Sequence, residues 1–319
     1  MTKLFFMIIL FVFSSINVFA AETKGIITTI QPINALVSAV IGNTGKTISI
    51  IPAEQSPHDF KLKPSDVKVL QDGNLIFYVS NHLESSVVKV FKNLPKNIKI
   101  INLMEEANID HLAIRDNEAW ERHDHHGHDD HDDHDKHGKK DDDHDDHEKE
   151  DDVHIWLSPN NAIKIVKKVN KELNLYFPEN SKIYDENASK FINKIKNLKE
   201  ELVKELAPIK DKPFIVFHDA YQYFEKTFEL NAVGSVALEG DIASSPKQIS
   251  FIKEKIKASN ASCVFQEPQF DTKLVKIVVE GTNTEIGTLD PLGVDIAGEK
   301  DFYLQLLRNM SKSLKECLG

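Results

Sequence analysis

The chain has 319 residues, 41% hydrophobic and 28% charged, proportions that allow one large or two ordinary globular domains with a real core. Its net charge of -11 is concentrated: residues 116–152 hold 14 Asp and 4 Glu against 5 Lys and Arg, so that segment stands at -13 and the remainder at +2. The folded part is nearly neutral, so nothing in its charge argues for nucleic acid.

Residues 1–20 have the order of a secretory signal: Lys3, an apolar run over 4–13, then Val18-Phe19-Ala20 as a cleavage site. The expectation is removal after Ala20 and a mature protein in an envelope compartment. No later stretch approaches the roughly 18 apolar residues of a membrane span.

Short β-rich runs at 25–30 and 47–51 flank a helical pattern that begins at Pro32 and stops at Gly42. A loop carrying Ser56-Pro57-His58-Asp59-Phe60 follows, and Pro64-Ser65-Asp66 is a good helix start. A strand at 74–79, a helix at 83–91 and a strand at 98–103 continue the series. Strands alternating with helices of this length predict a parallel sheet covered on both faces.

From His123 to His147 the pattern vanishes. His123, His125, His126, His128, His131, His134, His137, His144 and His147 fall here, nine of the fourteen histidines, among Asp and Lys. With almost no apolar residue, the segment cannot offset its ordering entropy, which predicts a disordered loop over about 116–152. Imidazoles two or three apart on a flexible chain are transition-metal ligands, so weak metal capture is expected of it. The apolar pattern resumes at Asp151-Asp152-Val153-His154-Ile155-Trp156-Leu157-Ser158-Pro159. His154 therefore stands where the loose tract is anchored back into a folded domain.

After Pro159 a helix runs through Ile163, Val166, Val169 and Leu173. A longer one over 181–206 carries Ala188, Phe191, Ile195, Leu198, Leu202 and Leu206 at three- and four-residue steps. At 1.5 Å per residue it reaches roughly 39 Å, and it is predicted to join two lobes. The alternation then restarts. A strand at 213–217 runs into His218-Asp219, followed by a helix at 221–228, a strand at 232–237 and a helix from Ser245-Pro246 to Ile256. A strand at 262–265, a helix at 274–279 and a strand at 285–289 lead to Asp290-Pro291-Leu292-Gly293 and a terminal helix from Phe302. The predicted organisation is an α/β lobe over 21–180, a linking helix over 181–206 and a second α/β lobe over 207–319. No sequence repeat relates the two.

His58 follows a strand through a loop, and His218 and Asp290 directly end strands. Open α/β sheets bind ligands beyond the carboxyl ends of their strands. A cleft between lobes would bring His58, His154, His218 and Asp290 together, and three imidazoles with one carboxylate suit a tetrahedral zinc. His82 and His111 also flank predicted elements and are read as ordinary surface residues. The cysteines are only Cys263 and Cys317. In an oxidising compartment two such residues pair, while metal ligation or free thiols are the competing readings.

Five motifs then occur in order. They are Ser56-Pro57-His58-Asp59-Phe60 with Lys63-Pro64-Ser65-Asp66, His154-Ile155-Trp156-Leu157-Ser158-Pro159, Phe217-His218-Asp219-Ala220-Tyr221, Phe265-Gln266-Glu267-Pro268-Gln269, and Gly287-Thr288-Leu289-Asp290-Pro291-Leu292-Gly293. In these the chain resembles the periplasmic zinc-binding receptors of high-affinity zinc ABC transporters, over essentially its whole mature length. The resemblance implies two α/β lobes joined by a long helix, Zn(II) bound between them as transported ligand, and delivery to a membrane permease. It implies His58, His154 and His218 as histidine ligands, Asp290 as the carboxylate, and a disulfide between Cys263 and Cys317. Some members have a glutamate before the first histidine, where this chain has Pro57, which leaves Asp290 as the oxygen ligand.

The leading function is thus a monomeric zinc receptor, not an enzyme and without a nucleic-acid partner. A manganese or iron receptor of the same fold, a zinc hydrolase, and a metal-buffering or adhesive protein are the alternatives. A hydrolase needs an open coordination position and a general base, and the sequence has no HExxH motif.

Overall fold

The computed structural model describes residues 22–115, 150–237, 246–298 and 301–319. The expected signal at 1–20, the histidine tract and Ser245 at the start of one helix lie outside them.

Strand β1 (Thr23–Thr28) places Ile26 and Ile27 side by side with both buried, as a strand covered on both faces requires. It pairs in parallel with β2 (Gly45–Ser49) on one side and β3 (Leu75–Tyr78) on the other, and β3 pairs with β4 (Lys99–Asn102). The sheet order is β2-β1-β3-β4. Helices α1 (Gln31–Ile41), α2 (Pro64–Gln71), α3 (Ser85–Phe91) and the single turn α4 (Leu103–Glu106) connect these strands or follow them. Gly42 ends α1 at φ +61°, and a Cβ there would meet the Asn187 amide at 2.4 Å. That amide donates to the Val40 carbonyl, satisfying a helix-end acceptor.

A buried carboxylate pins the strand ends of this sheet. Glu84 accepts from the Thr29 hydroxyl (2.5 Å) and the amides of Val79 (2.9 Å) and Ser80 (3.0 Å). Burial pushes its carboxyl up to about 7 against those three bonds, which pull it down.

Helix α5 (Pro159–Tyr176) starts on the Ser158 side chain, which accepts from the Asn161 amide, with Pro159 at the first position. Helix α6 (Ser181–Leu206) buries one stripe, Tyr184, Ala188, Phe191, Ile195, Leu198, Leu202 and Leu206. Beyond it β5 (Pro213–Val216), α7 (Gln222–Phe228), β6 (Asn231–Ser235), α8 (Pro246–Ser259), β7 (Cys263–Gln266), α9 (Lys273–Val279) and β8 (Glu285–Thr288) build a second parallel sheet, in the order β6-β5-β7-β8.

The terminal helix α10 (Phe302–Leu318) packs back on α6, α1 and β8. The largest core consequently runs without a break from Ile26 through α1, α5 and α6 to Leu318. A smaller core of Ile215, Phe217, Val236, Ile252, Ile256, Val264 and Val275, with a few neighbours, lies under α8 and α9. Cys263 and Cys317 are disulfide-bonded, joining β7 to α10. No described helix is long and apolar enough to cross a membrane.

Candidate metal centre

Three histidines meet beyond the carboxyl ends of the strands. His218 lies two residues past β5, His58 comes from the loop between β2 and α2, and His154 starts a short 3-10 turn, Ile155–Leu157, that leads into α5. One ring nitrogen from each lies within 4.8 Å of the others. The ring centroids form a triangle of 5.2, 5.4 and 6.0 Å. His154 and His218 are buried at 2% and 5% exposure, whereas His58 is half-buried.

Both buried rings are oriented from behind. His154 Nδ1 lies 2.8 Å from Asp152 Oδ1, which also accepts from the His154 backbone amide at 2.9 Å. His218 Nδ1 lies 2.7 Å from Glu267 Oε1. A carboxylate on Nδ1 fixes the proton there and leaves Nε2 with its lone pair outward, the arrangement of carboxylate–histidine–metal triads. His58 Nε2 and His154 Nε2 are 3.3 Å apart. Two nitrogens each about 2.0–2.1 Å from a tetrahedral ion lie about 3.3–3.4 Å apart, so this pair already has the spacing of a shared zinc.

The surroundings support that geometry. Trp156 stacks obliquely on His154 at 5.4 Å between centroids, and its indole N–H donates to the Pro291 carbonyl at 2.9 Å. Gln269 donates to the Ala53 carbonyl and to Asp290 Oδ1, both at 3.0 Å, tying the loop of His58 to the turn after β8. Tyr221 is fully buried. Burial first, then the charges of Glu267 and Asp290, hold its phenol well above the usual range, so it remains a donor facing carboxylates.

The structure does not bring Asp290 into the histidine cluster. Its Oδ1 accepts from Gln269 and from the amides of Leu292 and Gly293, and its Oδ2 from Val294 at 2.5 Å. The strand-end carboxylate is engaged by its own turn. His82 and His111 are exposed and outside the cluster, and His111 pairs with Asp151 at 2.8 Å. The nine tract histidines lie outside the described residues. Sequence reasoning gave no role to Asp152 or Glu267. A carboxylate two residues before His154 was a local signal, but Glu267 reaches His218 only through the pairing of β5 with β7.

Two parallel sheets joined by a long helix form the two-lobed fold of solute-binding receptors. That fold is shared with a protein solved as the crystal structure of ZnuA: TM-score 0.75 and 22% identity, covering 94% of this chain and 100% of that one. The sequence model of the family described as zinc-uptake complex component A, periplasmic, matches residues 26–317, and the chain belongs to that family. It is 42% identical over 311 residues to the high-affinity zinc uptake system protein ZnuA of Brucella suis, covering 94% of this chain and 93% of that protein. The protein of the same name from Haemophilus ducreyi is 36% identical over 303 residues, with 95% and 96% covered.

Proposed function

We propose that the chain is a periplasmic receptor that binds Zn(II) through His58, His154 and His218 and hands it to the membrane permease of an ABC-type uptake transporter. The observation that carries this reading is the 3.3 Å separation of two Nε2 atoms in a cluster whose buried members are oriented by carboxylates. The names of the relatives support zinc as the cargo. In this reading the signal is cleaved after Ala20, the lobes are 21–180 and 207–319, helix 181–206 links them, and the protein acts as a monomer without catalysis. The tract histidines gather zinc weakly and raise its concentration near the cleft.

Asp290 is assigned the fourth position on metal binding. Ligating carboxylates are themselves hydrogen-bonded, so its turn is a mount rather than an obstacle, though turn and histidines must approach one another. Three imidazoles and one carboxylate favour a borderline-soft tetrahedral ion, whereas manganese prefers more oxygens and higher coordination. Competitive titration of the tight site with zinc against manganese checks this: zinc should win by orders of magnitude, and comparable affinities overturn the assignment.

A further inference from the structure

The chain on either side of the tract forms a two-stranded stem. Ala113 and Asp151 face each other in an antiparallel bridge, with Ile114 N–H donating to the Glu150 carbonyl (2.9 Å) and Asp152 N–H to that of Leu112 (2.7 Å). This stem is fastened to the second half of the molecule. The Tyr223 hydroxyl of α7 accepts from the Leu112 amide at 3.2 Å and donates to the Asp152 carbonyl at 3.0 Å. Gln222 donates to the Ala113 carbonyl at 3.1 Å.

The strongest contact is Arg115. Its Nε lies 2.9 and 3.1 Å from the two Asp219 oxygens, and Nη2 also bonds Asp219. Its Nη1 and Nη2 lie 2.7 and 3.2 Å from the two Glu225 oxygens. One planar guanidinium thus serves two carboxylates edge-on, which the point charge of a lysine cannot reproduce. Burial pushes the Glu225 carboxyl up to about 7; Arg115 pulls it down, and Asp219 and Asp152 raise it. Two carboxylates therefore share one cation, with the charge of Asp152 near enough to act on Glu225.

Asp219 directly follows His218, and Asp152 holds the ring and amide of His154. We propose that Arg115 is a positioning residue of the zinc site: by neutralising Asp219 and Glu225 beside Asp152, it fixes the spacing of His154 and His218 while touching neither. This rests on the zinc reading above. Without the guanidinium the like charges repel, and the repulsion is delivered to the two segments that carry the ligands. Removing one partner of a buried ion pair strands the other charge, whereas removing all the charges together is far better tolerated.

The test uses the full chain and zinc alone, titrated against a chelator strong enough to strip weak sites. Arg115→Met should weaken the tight site on the order of tenfold, as loss of an outer-sphere support does, with Arg115→Lys falling between it and the parent. Adding Asp219→Asn and Glu225→Gln to Arg115→Met should restore affinity to within about threefold of the parent. Thermal unfolding of the zinc-free proteins is the control, since a merely structural residue lowers Tm without moving the affinity of protein that is still folded. Should Arg115→Met not fold, Arg115→Lys against the parent decides. Folded Arg115→Met that binds within about twofold of the parent, a charge-free triple variant no tighter than Arg115→Met, or, where Arg115→Met does not fold, Arg115→Lys that binds as the parent does, overturns the proposal. A parent without a tight zinc site overturns both this proposal and the zinc reading, whereas a tight parent with an unaffected variant overturns this one alone.

Discussion

In the first sheet the order β2-β1-β3-β4 puts the opening strand inside and its successor at the edge, and β6-β5-β7-β8 repeats that order in the second sheet. The two halves nevertheless present their histidines differently. His218 emerges just past a strand end, buried, with Glu267 from the end of the neighbouring strand β7 behind its ring. His58 comes from the edge strand's loop at 50–63 and is half-buried. His154 belongs structurally with His218, since a carboxylate orients its ring as well. One scaffold used twice has thus given a prepared pair of histidines and a more exposed third. The repeat supplies the platform, while the site draws on loops that do not correspond.

Removing single histidines separates the buried pair from the exposed third most directly. His218→Ala should weaken tight zinc binding by more than about 100-fold, above the usual range for loss of an outer-sphere partner, and His58→Ala should weaken it less. Chelator competition measures both, and an unchanged affinity for His218→Ala sinks the site. Glu267→Ala comes next, with a loss on the order of 10–100-fold, while Glu267→Gln keeps an acceptor for Nδ1–H and should lose less. If Glu267→Ala binds like the parent, His218 does not depend on its buttress.

Paired replacement of Cys263 and Cys317 by Ser should lower stability by about 2–4 kcal/mol in denaturant unfolding and leave zinc affinity unchanged. The bridge joins β7 to α10, away from the histidines, so a large affinity change would mean that the second half transmits strain to its ligands. The smallest effect on the tight site is expected from removing residues 123–147. One tight zinc per molecule should remain while weaker ones disappear in metal analysis. Loss of the tight zinc would place first ligands inside the tract.

Much of this was legible in the sequence because the signals are local. Pro32 and Gly42 bracket α1, Ser158-Pro159 start α5, and the apolar steps from Ala188 to Leu206 mark α6 to its last residue. Strand ends moved by a residue or two, since a ladder stops where its partner does: the run at 25–30 became Thr23–Thr28. The stretch 98–103 concealed a change of structure, because the Asn102 side chain caps α4 by accepting from the Met104 and Glu105 amides. The convergence of His58, His154 and His218 followed from strand-end placement together with family resemblance. Their carboxylate partners and the Arg115 fork did not. Glu267 reaches His218 across 49 positions and Arg115 reaches Glu225 across 110, distances in sequence over which no periodicity operates. The strand-end place of Asp290 was legible too, but not that its two oxygens accept from the Leu292, Gly293 and Val294 amides of its own turn.

The bridge between Ala113 and Asp151 has a consequence for how this chain tolerates change in length. Facing residues of such a bridge lie about 4.5–5.5 Å apart at their Cα atoms, so the segments 112–115 and 150–152 that flank the tract run side by side. Doubling the number of residues between two fixed points adds only about 0.6 kcal/mol of closure entropy. The stem therefore works as a socket indifferent to what is plugged into it: the intervening segment can lengthen, shorten or be exchanged for a guest domain with neighbouring termini. Such a guest would sit two residues in sequence from the carboxylate that holds His154, which makes the same opening a natural place to mount a reporter of zinc occupancy.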